Sequence, residues 1–186
     1  MKKTKDIEVK IIKQEADVLL KNGERVALNE TIKKENVRGI VLGSGKVISL
    51  KVRQTPFSEN KLIDYPSSRF LADIERAKKD MRGSENTDLL TLCCCESGLT
   101  IMEGLGEDEY IPSVGELLEI FPSEFDKINR IRKALGLDPL PTGYYWTSSI
   151  RNEETMWVVC SDGYTHWSYW YYYFRSHYCV LAFLRE

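Results

Sequence analysis

The chain has 186 residues, of which 42% are hydrophobic and 29% charged, with a formal net charge of -2. That length supports one domain with a real core. The near-neutral charge excludes the basic field that general binding to nucleic acid or an anionic membrane requires. No stretch is apolar over a bilayer's thickness, and the charged start from Met1 to Asp6 is not followed by a segment of signal-peptide type. The expected location is therefore the cytosol, or a larger particle such as a virion that leaves it.

In chain order, the first elements read as strands. Ile7 to Ile12 is rich in β-branched residues. Ala16–Leu20 and Arg25–Leu28 flank Asn22-Gly23, a strong hairpin signal. A polar connection, Asn29 to Asn36, leads to a second hairpin, Val37–Leu42 and Lys46–Val52, around Gly43-Ser44-Gly45. That turn is too short to cradle a phosphate. After an irregular stretch from Thr55 to Pro66, Ser67 or Ser68 is expected to cap a short helix carrying Phe70, Leu71, Ile74 and Ala77, with Gly83 ending it. Asn86 is expected to cap the next helix, which runs into Cys93-Cys94-Cys95. Consecutive helical cysteines point about 100° apart and cannot converge on one metal. The odd total of five cysteines fits a reducing compartment.

Two better-punctuated helices follow. Ser113 and Glu116 form a capping box ahead of Val114, Leu117, Leu118 and Phe121. Ser123 is expected to start the next, with Phe125, Ile128, Ile131 and Leu135 at helical spacing and Gly136 just past its end. Strands return at Tyr144–Ser149, Met156–Cys160 and Tyr178–Leu184. Strands, helices, strands argue for an α+β domain with its N- and C-terminal strands paired in one sheet.

The aromatic residues are unevenly placed. All four tryptophans, both histidines and eight of the ten tyrosines lie beyond residue 143. Between Gly163 and Val180 the chain reads YTHWSYWYYYFRSHYC, with no aliphatic side chain and no helical or alternating period. This is the composition of a paratope: stiff amphipathic rings for contact area, with Ser, His and Arg for adaptable hydrogen bonds. The competing readings are a buried aromatic strand, which would normally use Val, Ile and Leu, and an aggregation-prone edge. The stretch from Tyr164 to Cys179 also lacks Lys, Glu, Gln and Met. Asparagine AAC codons randomised at both adenines could not yield these residues, but could yield Tyr, Ser, His, Cys, Phe, Thr and Arg. Trp167 and Trp170 fall outside that code and would be fixed or come from another template codon.

With these residues, Asn86-Thr87-Asp88, Tyr110-Ile111-Pro112-Ser113-Val114-Gly115-Glu116-Leu117, Ile128-Asn129, Ala134-Leu135-Gly136, Tyr145-Trp146-Thr147-Ser148-Ser149, Trp157, Ser161-Asp162-Gly163 and Val180-Leu181-Ala182-Phe183, the chain resembles the variable target proteins of diversity-generating retroelements. Tyr110 stands where that family usually has Trp. The resemblance runs from about residue 37 to the end and implies a C-type-lectin-like fold with mixed or antiparallel sheets and two or more helices. It also implies adenine-specific rewriting of a C-terminal stretch, here about 156–179, whose side chains meet a ligand. The implied binding positions are Tyr164, His166, Ser168, Tyr169, Tyr171, Tyr172, Tyr173, Phe174, Ser176, His177 and Tyr178, with Trp167, Trp170 and Arg175 as supporting contacts. Met156 is not reachable from AAC, and Val158 fits a framework position.

The resemblance thus implies a receptor-binding display protein of a phage tail or cell surface. Its partner would be a protein or glycan on a target surface, met by the chain alone, as a homo-oligomer or within a larger assembly. No catalysis, cofactor, metal, nucleic acid or membrane insertion is expected. Residues 1–36 lie outside the resemblance and form either a small β element for docking or oligomerisation, or an extension of the sheet. Three alternatives stay open: a fixed adhesin or assembly subunit; a lectin, for which Asn152, Glu153, Glu154 and Asp162 are the available calcium ligands; and an oxidase of the formylglycine-generating type, for which Cys160 and Cys179 are the available thiols.

Overall fold

The Asn22-Gly23 pair makes the turn its composition demands. In a computed structural model that describes residues 16–56, 65–93, 99–169 and 178–185, Gly23 takes φ +90°, a conformation cheap only for glycine. It joins β1 (Val18–Leu20) to β2 (Arg25–Val26), with Val18 opposite Val26. The second hairpin also forms, as β3 (Val37–Val41) and β4 (Val47–Thr55), with Ile40 opposite Ile48. On its other side β1 pairs with β3, Val18 opposite Ile40. Within residues 16–36, β1 and β2 therefore continue the main sheet; the expected strand Ile7–Ile12 lies outside the described residues.

The first helices differ from expectation. Ser67–Arg69 is one 3-10 turn, because the next backbone is used elsewhere: Phe70 is extended and the Leu71 N–H bonds to the Ile150 carbonyl at 2.8 Å. The helix α1 (Ile74–Lys78) starts instead at Asp73, whose carboxylate accepts the Arg76 N–H at 3.0 Å. Gly83 opens α2 (Gly83–Cys93) rather than closing the preceding helix. Its N–H is taken by the Glu116 carboxylate at 3.1 Å, and a Cβ there would collide with that carboxylate and crowd Ser113 N and Ile111 O. Asn86 is no cap: it lies inside α2, buried, and donates to Asp80 at 2.8 Å. Cys94 and Cys95 fall outside the described residues.

A short strand not expected from the sequence, β5 (Glu109–Tyr110), precedes α3 (Val114–Ile120), which carries the expected capping box. In the helix α4 (Phe125–Ala134) the N-cap position falls to Glu124, not Ser123, and its carboxylate accepts the Gly43 N–H instead of capping the helix. The Ser123 hydroxyl donates back to Glu119 O at 3.1 Å, so it is not free to bond the new helix. The remaining strands are β6 (Tyr144–Ile150), β7 (Thr155–Cys160), β8 (Thr165–Tyr169) and β9 (Tyr178–Leu184). Of these, the sequence does not predict β8, because aromatic and polar residues fill it without apolar alternation.

The nine strands of the described residues form one mixed sheet in the order β2-β1-β3-β4-β9-β6-β7-β8, with β5 also on β9. The C-terminal strand is the splice. β9 runs antiparallel to β4, with Val52 opposite Leu181, and parallel to β6, with Cys179 beside Tyr145. The expected pairing of early and late strands is thus realised in an α+β fold. Alternation along β9 sends Cys179, Leu181 and Phe183 to one core, shared with Tyr145, Trp157 and the apolar faces of α3 and α4. It sends Val180 to a second core with Trp146, Ile150, Met156, Val158 and Leu90 of α2. No helix among the described residues is long and apolar enough to cross a membrane.

Candidate ligand-binding surface

The motif residues gather into a buried polar knot where α2, α3 and β6 meet. The Asp80 carboxylate accepts from Asn86 at 2.8 Å and from the Ser149 hydroxyl at 2.7 Å, and Arg82 pairs with its other oxygen at 2.9 Å. The Asp80 carbonyl accepts the Ser113 hydroxyl at 2.6 Å. Glu116 accepts the N–H groups of Gly83 and Ser113, the Tyr110 hydroxyl at 3.1 Å and the Lys46 ammonium at 3.1 Å. Gly115 is small by necessity, since a Cβ would stand 2.5 Å from Asp80 O. Ser149 also accepts the Val114 N–H at 3.0 Å. These bonds are directed inward, and buried polar groups satisfied in this way stiffen a scaffold rather than present chemistry.

Beyond the knot, the far ends of β6, β7 and β8 carry the aromatic residues. Register fixes their rows: Tyr144 is opposite Cys160, Trp146 opposite Val158, and Val158 opposite His166. The hairpin turn brings Tyr164 level with Cys160, whose N–H bonds to Tyr164 O at 2.7 Å. Residues opposite one another share a face. Tyr144, Cys160 and Tyr164 therefore form an outer row, with Trp146, Val158 and His166 behind it.

Within these rows Trp146 and Val158 are core, while Tyr164 is 60% exposed. The Tyr164 ring stacks on His166, with centroids 6.3 Å apart and planes at 22°. Tyr178 of β9 packs on Trp146 at 4.7 Å and on Tyr144 at 5.4 Å. Burial, then the neighbouring Cys160, Tyr178, Tyr164 and Asp162, push the Tyr144 phenol above its ordinary range.

The implied binding positions accordingly fall into groups. Tyr164 and His166 are exposed, and Ser168 is partly so. Tyr178 is partly buried and backs the surface through its contact with Trp146. Trp167 points to the opposite face, opposite Trp157 and under the Arg151 guanidinium at 5.0 Å, so it anchors β8 to the first core. Met156 and Val158, inside the implied variable stretch, are buried. Tyr169 ends β8. Trp170, Tyr171, Tyr172, Tyr173, Phe174, Arg175, Ser176 and His177 lie outside the described residues. Sequence reasoning missed Tyr144 as a neighbour of this surface; its alternation with buried Tyr145 along β6 was the available signal.

The alternative sites are less well assembled. Cys160 lies on the Tyr144 face, whereas Cys179 shares the opposite face with Tyr145, so the two thiols do not meet. The Asn152 carbonyl oxygen is taken by Glu154 N, Thr155 N and the Thr155 hydroxyl. Among the described residues, no three His, Cys, Asp or Glu side chains come together as a metal site.

No protein-family model and no curated protein matches the sequence. Among solved structures, a fimbrial protein from Bacteroides ovatus ATCC 8483 superposes with a TM-score of 0.70 at 17% identity. The match covers 93% of this chain and 49% of that one, so the chain spans about half the length of the fimbrial protein. At that identity the likeness shows the fold alone: the α+β arrangement is one that a fimbrial protein also contains.

Proposed function

We propose that the chain is a display protein, a C-type-lectin-like scaffold that presents its C-terminal aromatic surface to a protein or glycan partner, without catalysis. One observation carries the reading. The exposed rings of Tyr164 and His166 stand at the start of β8, on the edge of the sheet beside β7, whose residues Thr155–Val159 are buried, so side chains there can change without touching the polar knot. The composition supports the same use, because rigid rings give contact area at low entropic cost. On this reading residues 164–178 are the surface rewritten by a retroelement, and the partner lies outside the cytosol, reached as part of a phage tail or cell surface.

The deciding test of diversification is genomic. A near-copy of the last coding stretch, differing mainly at adenines and adjacent to a reverse transcriptase gene, is the expected finding; a locus with neither excludes it. The fold shared with a fimbrial protein favours one second reading, a surface adhesin or assembly subunit with the same but fixed binding face. Identical residues 164–178 across many closely related genomes would select that version.

A further inference from the structure

The outer aromatic row has a shape as well as a composition. Tyr144 at the start of β6 and Tyr164, one residue before β8, lie about two strand spacings apart, roughly 10 Å, and the residue between them is the small Cys160. Two tall rings thus flank a low floor. Tyr178 buttresses one wall, 5.4 Å from Tyr144, and His166 stacks behind the other. At the mouth is the β7–β8 turn with Asp162, whose carboxylate accepts the Tyr164 N–H at 2.9 Å. That bond first, and the Cys160 thiol second, hold the Asp162 carboxyl below its ordinary range, so it is an anion at neutral pH. Arg151, the described cation beside this hairpin, is turned to the other face over Trp167.

A cation within about 6 Å of a ring centroid is attracted by the ring's negative face. A gap of two strand spacings lets one cation reach both walls at once, with a fixed carboxylate beside it. We propose that this slot binds a cationic side chain, an arginine or lysine presented by a protein partner. The inference rests on the display reading and narrows it from any ligand to a basic protein surface. Of the side chains that form the slot, Tyr164, His166 and Tyr178 are among the implied binding positions, while Tyr144, Cys160 and Asp162 are not. Tyr144 and Asp162 would supply affinity for a cation and the variable residues would choose its context.

The test uses the whole chain with ring-labelled tyrosine, titrated with capped glycyl-arginyl-glycine, its lysine counterpart and its neutral glutamine counterpart. Saturable shifts of the Tyr144 and Tyr164 ring signals with the two basic peptides, at dissociation constants on the order of 1 mM, are expected, with none from the glutamine peptide. Asp162→Asn keeps the acceptor for the Tyr164 N–H, and so the turn, and should weaken binding about fivefold. Tyr164→Ala should abolish it, and Tyr144→Phe should retain it because the ring face remains. Equal shifts from the glutamine peptide, or unchanged affinity in Asp162→Asn, would overturn the proposal. If the chain captures a partner through residues 164–178 and the slot ignores cations, this inference fails while the display reading stands.

Discussion

A single strand, β6, links two regions built on opposite logic. At its C-terminal end Ser149 bonds both Asp80 and the start of α3. Around that point Asn86, Ser113, Glu116 and Tyr110 also direct their polar groups inward. At its N-terminal end Tyr144 starts the outer row that passes through Cys160 and ends in Tyr164, exposed to solvent. The first region is specific because each group has a named partner inside the chain. On the display reading, the second leaves its polar tips and ring faces for another molecule. Separating them along one strand would then let the surface change while the scaffold stays fixed, and substitutions on either side measure how complete that separation is.

The sharpest challenge comes from Trp146, which lies behind the surface yet belongs to the core. It is 1% exposed and its indole N–H donates to Thr55 O at 2.8 Å. Replacing it with alanine is expected to cost about 3–5 kcal/mol, read from urea unfolding, and Phe183→Ala the same. A loss under about 1 kcal/mol for Trp146→Ala would mean that the ring belongs with the surface and not the core, and the division would have to be redrawn.

The two regions were not equally legible in the sequence. Both N-terminal hairpins, α3 with its Ser113–Glu116 box, and strands β6, β7 and β9 follow from local signals: Asn22-Gly23, a capping box, and apolar alternation. The knot was visible only as motif residues, because the bonds that tie its segments together join positions more than thirty residues apart, such as Asp80 to Ser113 and Gly83 to Glu116. The same long-range demand overrode local rules. Gly83 starts a helix since Glu116 fills the space a side chain would need, and Asn86 serves Asp80 instead of capping. For the surface, composition pointed to Tyr164 and His166 but could not show that Trp167 turns inward, because β8 has no apolar alternation to set its register.

A middle-sized effect tests the knot. Ser149→Ala leaves the buried Val114 N–H without its acceptor and removes one of the two donors to the buried Asp80 oxygen that Asn86 also bonds, and should cost about 1–3 kcal/mol with no change in partner binding. Loss of binding at unchanged stability would show that the two ends of β6 communicate.

Alkaline pH probes the interior beneath the surface. Burial raises both the Tyr145 phenol and the Cys179 thiol above their ordinary values of 10.0 and 9.0. Both are neutral when folded, and the unfolded chain ionises them first. Stability is therefore fully present below about pH 9 and falls above it, by about 1.4 kcal/mol per pH unit for each group between its unfolded and folded values. Urea midpoints at pH 8 and pH 10.5 check this, and Cys179→Ala should flatten the lower part of the slope. A midpoint constant across that range would place both groups in contact with solvent.

The smallest expected change is the one the display reading most needs. Tyr164 is 60% exposed, its backbone is fixed by Cys160 and Asp162, and its ring touches His166 without entering either core. Tyr164→Ser should shift stability by no more than about 0.5 kcal/mol, and Tyr171, Tyr172 and Tyr173 replaced together by serine should leave the melting temperature nearly unchanged while abolishing capture of the partner. Stability and binding lost together would mean that the rings hold the sheet edge closed. A scaffold whose folding depended on them could not survive their replacement by the many side chains that rewriting at adenines would supply.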